Sequence, residues 1–281
     1  MPRSSRARAE PPFPYLTEDI RFEFPSPENA DSSGVLCTGG NLSPGLLLSA
    51  YRQGVFPWFN EAEPILWWSP DPRFVLFPEE LHVSETMRRK LRRAFGMQAR
   101  CALGGEGASG RTEPAGGRLE LGLDRDFEAV IRACSESPRP GQRGTWITED
   151  MIEAYLELHR LGYAHSAELR SGGELVGGCY GVSLGDVFFG ESMFSRIDDA
   201  SKLAFIPLAW RLADEGFTLI DSQVYTDHVA ALGAREIPRE EYLRLLADRG
   251  SRTTRKGDWG LLFEGFPDSS EFRRVVLKET L

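Results

Sequence analysis

The sequence predicts an α+β fold, with a small N-terminal α/β region followed by a larger mixed-sheet domain. Three observations carry this reading. From Thr145 onward a helical pattern, several β-prone segments, a helix and a further strand follow one another without strict βαβα alternation. Two of those strands, ELVGGCYGVSL and DVFFGESMF, are separated only by Gly185-Asp186, which reads as a tight antiparallel hairpin. Upstream, a glycine-rich stretch within residues 101–125 separates the expected N-terminal domain, 21–100, from the expected second domain, 126–281.

Each element has a local signal. Residues 1–20 begin MPRSSRARAEPPFPY, which lacks the apolar core of a secretory signal and reads as a flexible leader. In GGNLSPGLLLSAYRQGVFPWF, Ser43 is a helix N-cap, Pro44 takes the first helical position, and Gly54 ends the helix. PILWWSPDPRFVLFP is aromatic and broken by prolines, which suits short strands and turns. Ser84 opens a helix containing MRRKLRR, and a short strand is expected to end near Leu103. Phe127, Val130 and Ile131 mark another helix. Thr148 caps the next, whose apolar side holds Met151, Ile152, Tyr155 and Leu158. The strands AHSAELR, ELVGGCYGVSL and DVFFGESMF lead into the helix SKLAFIPLAWRLADEG, where Pro207 removes the hydrogen bond to Leu203 and should kink the axis. A strand TLIDSQVY, a short helix near His228 and a helix starting by Pro238 complete the pattern.

Composition narrows the function. With 281 residues, 41% hydrophobic and 27% charged, the chain is an ordinary globular protein with material for a full core. No apolar run reaches the roughly 18 residues of a membrane span, so no membrane partner is expected. Cys37, Cys101, Cys134 and Cys179 form no CxxC pair, and the four histidines form no metal-binding helix pair; no metal is expected, and the thiols suit a reducing, cytoplasmic setting. A net charge of −9 opposes bulk nucleic-acid affinity. Arg88, Arg89, Lys90, Arg92 and Arg93 nevertheless gather on one helical segment, which reads as a phosphate-binding face or as a solvated helix surface.

Two motifs fail on inspection. Gly105–Thr112 resembles a P-loop, but Arg111 stands where the lysine belongs, and Pro114, Gly116 and Gly117 leave no helix to cradle a phosphate. Gly190-Glu-Ser192-Met-Phe194 resembles a nucleophile elbow, yet Phe194 replaces its last glycine. A hydrolase using Ser192, His228 and Asp221 is the rival reading that survives.

Asp221 and Gln223, two apart on the expected strand, should share a face at the mouth of the core. From residue type alone, Asp221 either orients an amide beside an attacking amine or caps a nearby helix. The segments GGNLSPGLLLSAYRQGVFPWF, PILWWSPDPRFVLFP, TWITEDMIEAYLELHRLGYAHSAEL, ELVGGCYGV, FFGESMFSRIDDASK and LIDSQVYTDHVAALGAREIPR decide between them. Together they resemble the leucyl/phenylalanyl-tRNA–protein transferases, in order, over roughly residues 22–95 and 126–246. The element order is similar to that of acetyltransferase-like (GNAT-type) acyltransferases.

The resemblance implies transfer of Leu, Phe or Met from aminoacyl-tRNA to proteins with an N-terminal Arg or Lys, marking them for degradation, with no external cofactor. It implies that Asp221 and Gln223 handle the attacking amine, with Ser222 in place of the usual cysteine, and that Glu191 faces a basic acceptor residue or the adenosine. Tyr51, Trp58 and Trp146 match aromatics around the 3′ adenosine; with tRNA as the partner, the charge of Arg88, Arg89, Lys90, Arg92 and Arg93 is expected to hold its phosphates without reading bases. Cys179, Phe188, Met193, Phe205, Leu208 and Ile220 match the aminoacyl pocket; without the resemblance they read as core. Cys179 is smaller than the family's usual residue there, which favours larger donors.

Overall fold

A computed structural model describes residues 13–61, 63–102, 118–137 and 145–278, with backbone only for 97–102. Along the chain lie β1 (Val35–Thr38), α1 (Pro44–Arg52), β2 (Phe56–Pro57), β3 (Leu66–Trp68), β4 (Arg73–Leu76) and α2 (Glu85–Ala102). Next come β5 (Leu119–Leu123), α3 (Phe127–Glu136), α4 (Glu149–Arg160), β6 (Ala164–Ser171), β7 (Glu174–Leu184) and β8 (Val187–Ser195). After these follow α5 (Ala200–Asp214), β9 (Leu219–Asp221), α6 (Asp227–Ala230), β10 (Arg235–Ile237), α7 (Arg239–Arg249) and α8 (Trp259–Leu262).

The expected mixed sheet forms with seven strands in the order β10-β4-β9-β8-β7-β6-β5. Every neighbour is antiparallel except β8 and β9. Side chains alternate between two cores. Val75, Tyr180, Val187, Phe189 and Leu219 face a first core with α1, α3 and α4. Phe74, Cys179, Phe188 and Ile220 face a second core with α2, α5 and the C-terminal segment. No helix among the described residues is long and apolar enough to cross a membrane.

Local signals hold where they are local. Met151 N–H donates to Thr148 Oγ1 at 3.3 Å and Met87 N–H to Ser84 Oγ at 3.3 Å, so these two expected caps form, whereas Ser43 stands at the start of α1 without a capping bond from its side chain. The β7–β8 loop is Gly185-Asp186, with Gly185 at φ +58°. Helix α5 continues through Pro207 to Asp214.

Several expectations change. The leader is not loose throughout: Asn41 Nδ2 bonds the carbonyls of Phe13 and Pro14, and Gly45 N–H bonds Leu16 O at 2.9 Å. A Cβ on Gly45 would strike Thr17 O, so this glycine lets the segment cross the start of α1. Residues 1–12, and the glycine-rich stretch over 103–117 with its P-loop-like motif, lie outside the described residues. In place of a strand near Leu103, α2 runs to Ala102, with Met87, Leu91 and Phe95 forming its buried stripe. Strand β4 enters the large sheet between β9 and β10, and Phe95 of α2 meets Phe272 at 6.2 Å, so both elements pack with the later part of the chain.

Candidate active site

Strands β8 and β9 pair only over Val187–Phe189 and Leu219–Asp221. Beyond that, β8 continues along β7 to Ser195, while the chain after Asp221 turns away at Gln223, whose φ is +65°. The expected strand TLIDSQVY therefore ends at Asp221. A cavity of about 520 Å³ occupies the gap where the strands part.

Glu191 enters this gap through a β-bulge. Tyr180 pairs with Ser192 and Gly181 with Gly190, which leaves Glu191 as the extra residue. The alternation changes phase across it: Phe188 faces the second core before the bulge, and Met193 packs there after it. Glu191 is thereby turned toward α1 and α4, where three donors meet it. Tyr51 Oη donates to Oε1 at 2.7 Å, Tyr155 Oη to Oε2 at 3.0 Å, and Gln223 Nε2 to Oε1 at 2.8 Å. The two tyrosine hydroxyls also touch each other. Burial raises the Glu191 carboxyl to about 7; the bonds from Tyr51, Tyr155 and Gln223 pull it down, and Asp221 adds a smaller upward push. Both phenols are held well above their ordinary range, first by burial and then by the Glu191 charge.

The rest of the wall is largely apolar, with Cys179 from β7, Phe188 and Met193 from β8, Phe205 from α5 and Ile220 from β9. Burial lifts the Cys179 thiol to about 12, so it packs as a small apolar group. Leu208 is buried in the second core but does not border the cavity, because α5 presents Phe205 there one turn earlier. Trp58 and Trp146 border the cavity and are only partly buried, which leaves ring surface accessible. Tyr51 does not fit a place beside an adenosine: it is fully buried, packs on Phe189 at 4.9 Å between centroids and spends its hydroxyl on Glu191.

Asp221 differs most from its expected placement. Alternation in β9 puts it on the same face as Leu219, opposite Val75, and it is 0% exposed rather than at a mouth. Arg73 binds it through two bonds, Nε to Oδ1 at 2.9 Å and Nη2 to Oδ2 at 2.6 Å. Tyr242 Oη donates to Oδ2 at 2.7 Å and Gln223 N–H to Oδ1 at 2.9 Å. These donors occupy the Asp221 carboxylate, which does not border the cavity and meets it through the Gln223 N–H. The rival hydrolase is not assembled, since His228 turns Nε2 to Ser201 Oγ at 3.1 Å and Asp221 is committed to Arg73.

Sequence reasoning missed Arg73, Tyr155 and Tyr242 as parts of this network. Arg73 carried one usable signal, a charge opening the otherwise apolar run RFVLF. Tyr155 looked like another apolar residue on α4. On α2, Arg89, Lys90 and Arg93 are exposed, while Arg88 and Arg92 are half-buried. Lys90 pairs with Asp199 and Arg92 with Glu85.

Comparison with known proteins identifies the family. The family described as leucyl/phenylalanyl-tRNA protein transferase matches residues 75–247, and its N-terminal domain matches 40–71, a division that falls at the start of β4. A leucyl/phenylalanyl-tRNA–protein transferase of Myxococcus xanthus is 49% identical over 246 residues, 87% of this chain and 95% of the relative. One from Syntrophus aciditrophicus is 51% identical over 236 residues, 84% of this chain and 89% of the relative. Among solved structures, a GCN5-related N-acetyltransferase from Kribbella flavida is similar at 14% identity over 69% of this chain and 61% of that chain, with a TM-score of 0.32. With near-half identity along nearly the whole length of these relatives, the chain belongs to the leucyl/phenylalanyl-tRNA–protein transferases, which carry leucine or phenylalanine from aminoacyl-tRNA to protein N-termini.

Proposed function

We propose that the cavity between β8 and β9 receives the aminoacyl ester of Leu-, Phe- or Met-tRNA together with the α-amine of a protein beginning with Arg or Lys. The observation that carries this is the Gln223–Glu191 pair, which sets a polar edge beside the apolar part of the wall. Cys179, Phe188, Met193, Phe205 and Ile220 take the donor side chain; such a wall sorts by size coarsely and admits several apolar residues. Trp58 and Trp146 give the terminal adenosine a stacking surface, a contact worth roughly 1–3 kcal/mol per base.

The chemistry needs little beyond placement. A free α-amine titrates near pH 8, so a useful fraction is neutral in the cytoplasm. Gln223 commits Nε2 to Glu191, leaving its amide oxygen to accept an N–H of the amine. The nitrogen attacks the ester carbonyl carbon, the bond to the ribose 3′ oxygen breaks, and the proton lost by the amine is balanced by the one the ribose hydroxyl gains. The activated ester supplies the driving force, so orientation and charge suffice. Glu191 places negative charge beside the basic first residue of the acceptor. Arg89 and Arg93 hold tRNA phosphates on α2 without reading bases.

The test is transfer of labelled Leu, Phe and Met from charged tRNA to peptides starting with Arg, Lys or Ala. Product on the Arg and Lys peptides alone supports the reading; absence of transfer to either overturns it.

A further inference from the structure

We infer that Arg73 and Tyr242 are positioning residues for the transfer, acting through Asp221 to hold Gln223 against Glu191; this rests on the proposed role of Gln223.

Arg73 is 1% exposed. Burying a guanidinium and a carboxylate is costly, and an ion pair of this kind commonly gives no more stability than well-packed apolar residues. Here every arm of the guanidinium is used. Nε and Nη2 grip Asp221, Nη1 donates to Gly54 O at 3.2 Å, and the flat group lies 4.8 Å from the Phe56 ring centre and 4.6 Å from that of Tyr242. This fixes the carboxylate in one orientation, to which Tyr242 Oη adds a donor at 2.7 Å.

The other side of that carboxylate faces a strained residue. Gln223 adopts φ +65°, a region that side chains other than glycine rarely occupy. Asp221 Oδ1 accepts its N–H at 2.9 Å, and the N–H of Phe74, next to Arg73 in β4, donates to its carbonyl at 3.3 Å. The strained turn is therefore held at both ends by β4 and its ion pair. In this conformation the side chain reaches Glu191 at 2.8 Å across the cavity edge. Neither Arg73 nor Tyr242 borders the cavity; Tyr242 reaches it through Asp221, and Arg73 through Asp221 and through the cavity-lining Phe56, so Tyr242 is the cleaner probe of this chain of contacts.

The experiment is a single-turnover double-mutant cycle with Tyr242→Phe, which keeps the ring, and Gln223→Ala, with Arg73→Lys as a second probe. Tyr242→Phe should lower kcat about tenfold, the size expected for one hydrogen bond to a buried charge, while KM for charged tRNA stays unchanged. In the Gln223→Ala background the same change should lower the rate no further. Equal losses in both backgrounds, or full kcat in both Tyr242→Phe and Arg73→Lys with normal folding, would overturn the inference. If Gln223→Ala itself leaves the rate unchanged, the role given to Gln223 fails, which is a separate result.

Discussion

Gln223 and Glu191 are bonded side chain to side chain at 2.8 Å although 32 residues separate them, and each is presented by a backbone irregularity. Glu191 is the extra residue of a bulge, and Gln223 is a left-handed residue just past a strand end. Two local departures from ideal sheet geometry thus meet at one edge of one cavity. Such departures are retained at sites with work to do.

Gln223→Ala should reduce single-turnover transfer by roughly 100-fold or more, with tRNA affinity little changed, because the lost group acts on the amine rather than on the RNA. Quench-flow with pre-bound charged tRNA measures this. An intact rate would remove Gln223 from the reaction.

Glu191→Gln tests the buried carboxyl through stability. Its folded pKa of about 7 lies above the ordinary value of ~4.3, so the folded protein binds the extra proton and loses stability as pH rises from about 4.3 to 7. The amide has no charge to bury. It should therefore gain about 2 kcal/mol over the parent at pH 8 relative to pH 5, read from denaturant melts at the two values. Transfer to Arg-starting peptides should fall in the same variant.

Cys179→Leu should fill the deep wall of the cavity and penalise the larger donor. The Phe-to-Leu transfer ratio is expected to drop about tenfold, in line with what a methylene or two is worth in an apolar pocket. Competition between the two charged tRNAs gives the ratio directly.

Arg89→Ala with Arg93→Ala should weaken tRNA binding and flatten its salt dependence, reducing the slope of log K against log salt by about 1.5–2. Lys90→Ala and Arg92→Ala should have smaller effects, since Asp199 and Glu85 already pair with those cations. Filter binding across a salt series separates the cases.

The sequence made local features legible. The Thr148 and Ser84 caps, the Gly185-Asp186 turn and the period of α4 each depend on residues within a few positions of one another. It marked Glu191 and Gln223 as site residues through the family resemblance but not how they point, because a one-residue bulge and a single positive φ leave no periodic trace. Asp221 was misplaced for a different reason. Its partner Arg73 lies 148 residues away, and no local rule announces which arginine will face which aspartate. Tyr155 looked like an apolar face residue because its ring fills the core, while its hydroxyl serves Glu191.

Strand β4 has one more consequence, for the order in which a growing chain can become an enzyme. It is made early, yet both of its sheet neighbours, β9 and β10, are made late. Until they leave the ribosome, Val75 and Leu76 have no strand to pair with, and Arg73 has no counter-charge. Long-range pairings of this kind form slowly and leave apolar edges open meanwhile. A nascent chain that stops short of β9 therefore holds the N-terminal aromatics and the α2 cations but lacks Asp221 and Gln223: the surfaces proposed for RNA are made before the residues proposed for the chemistry.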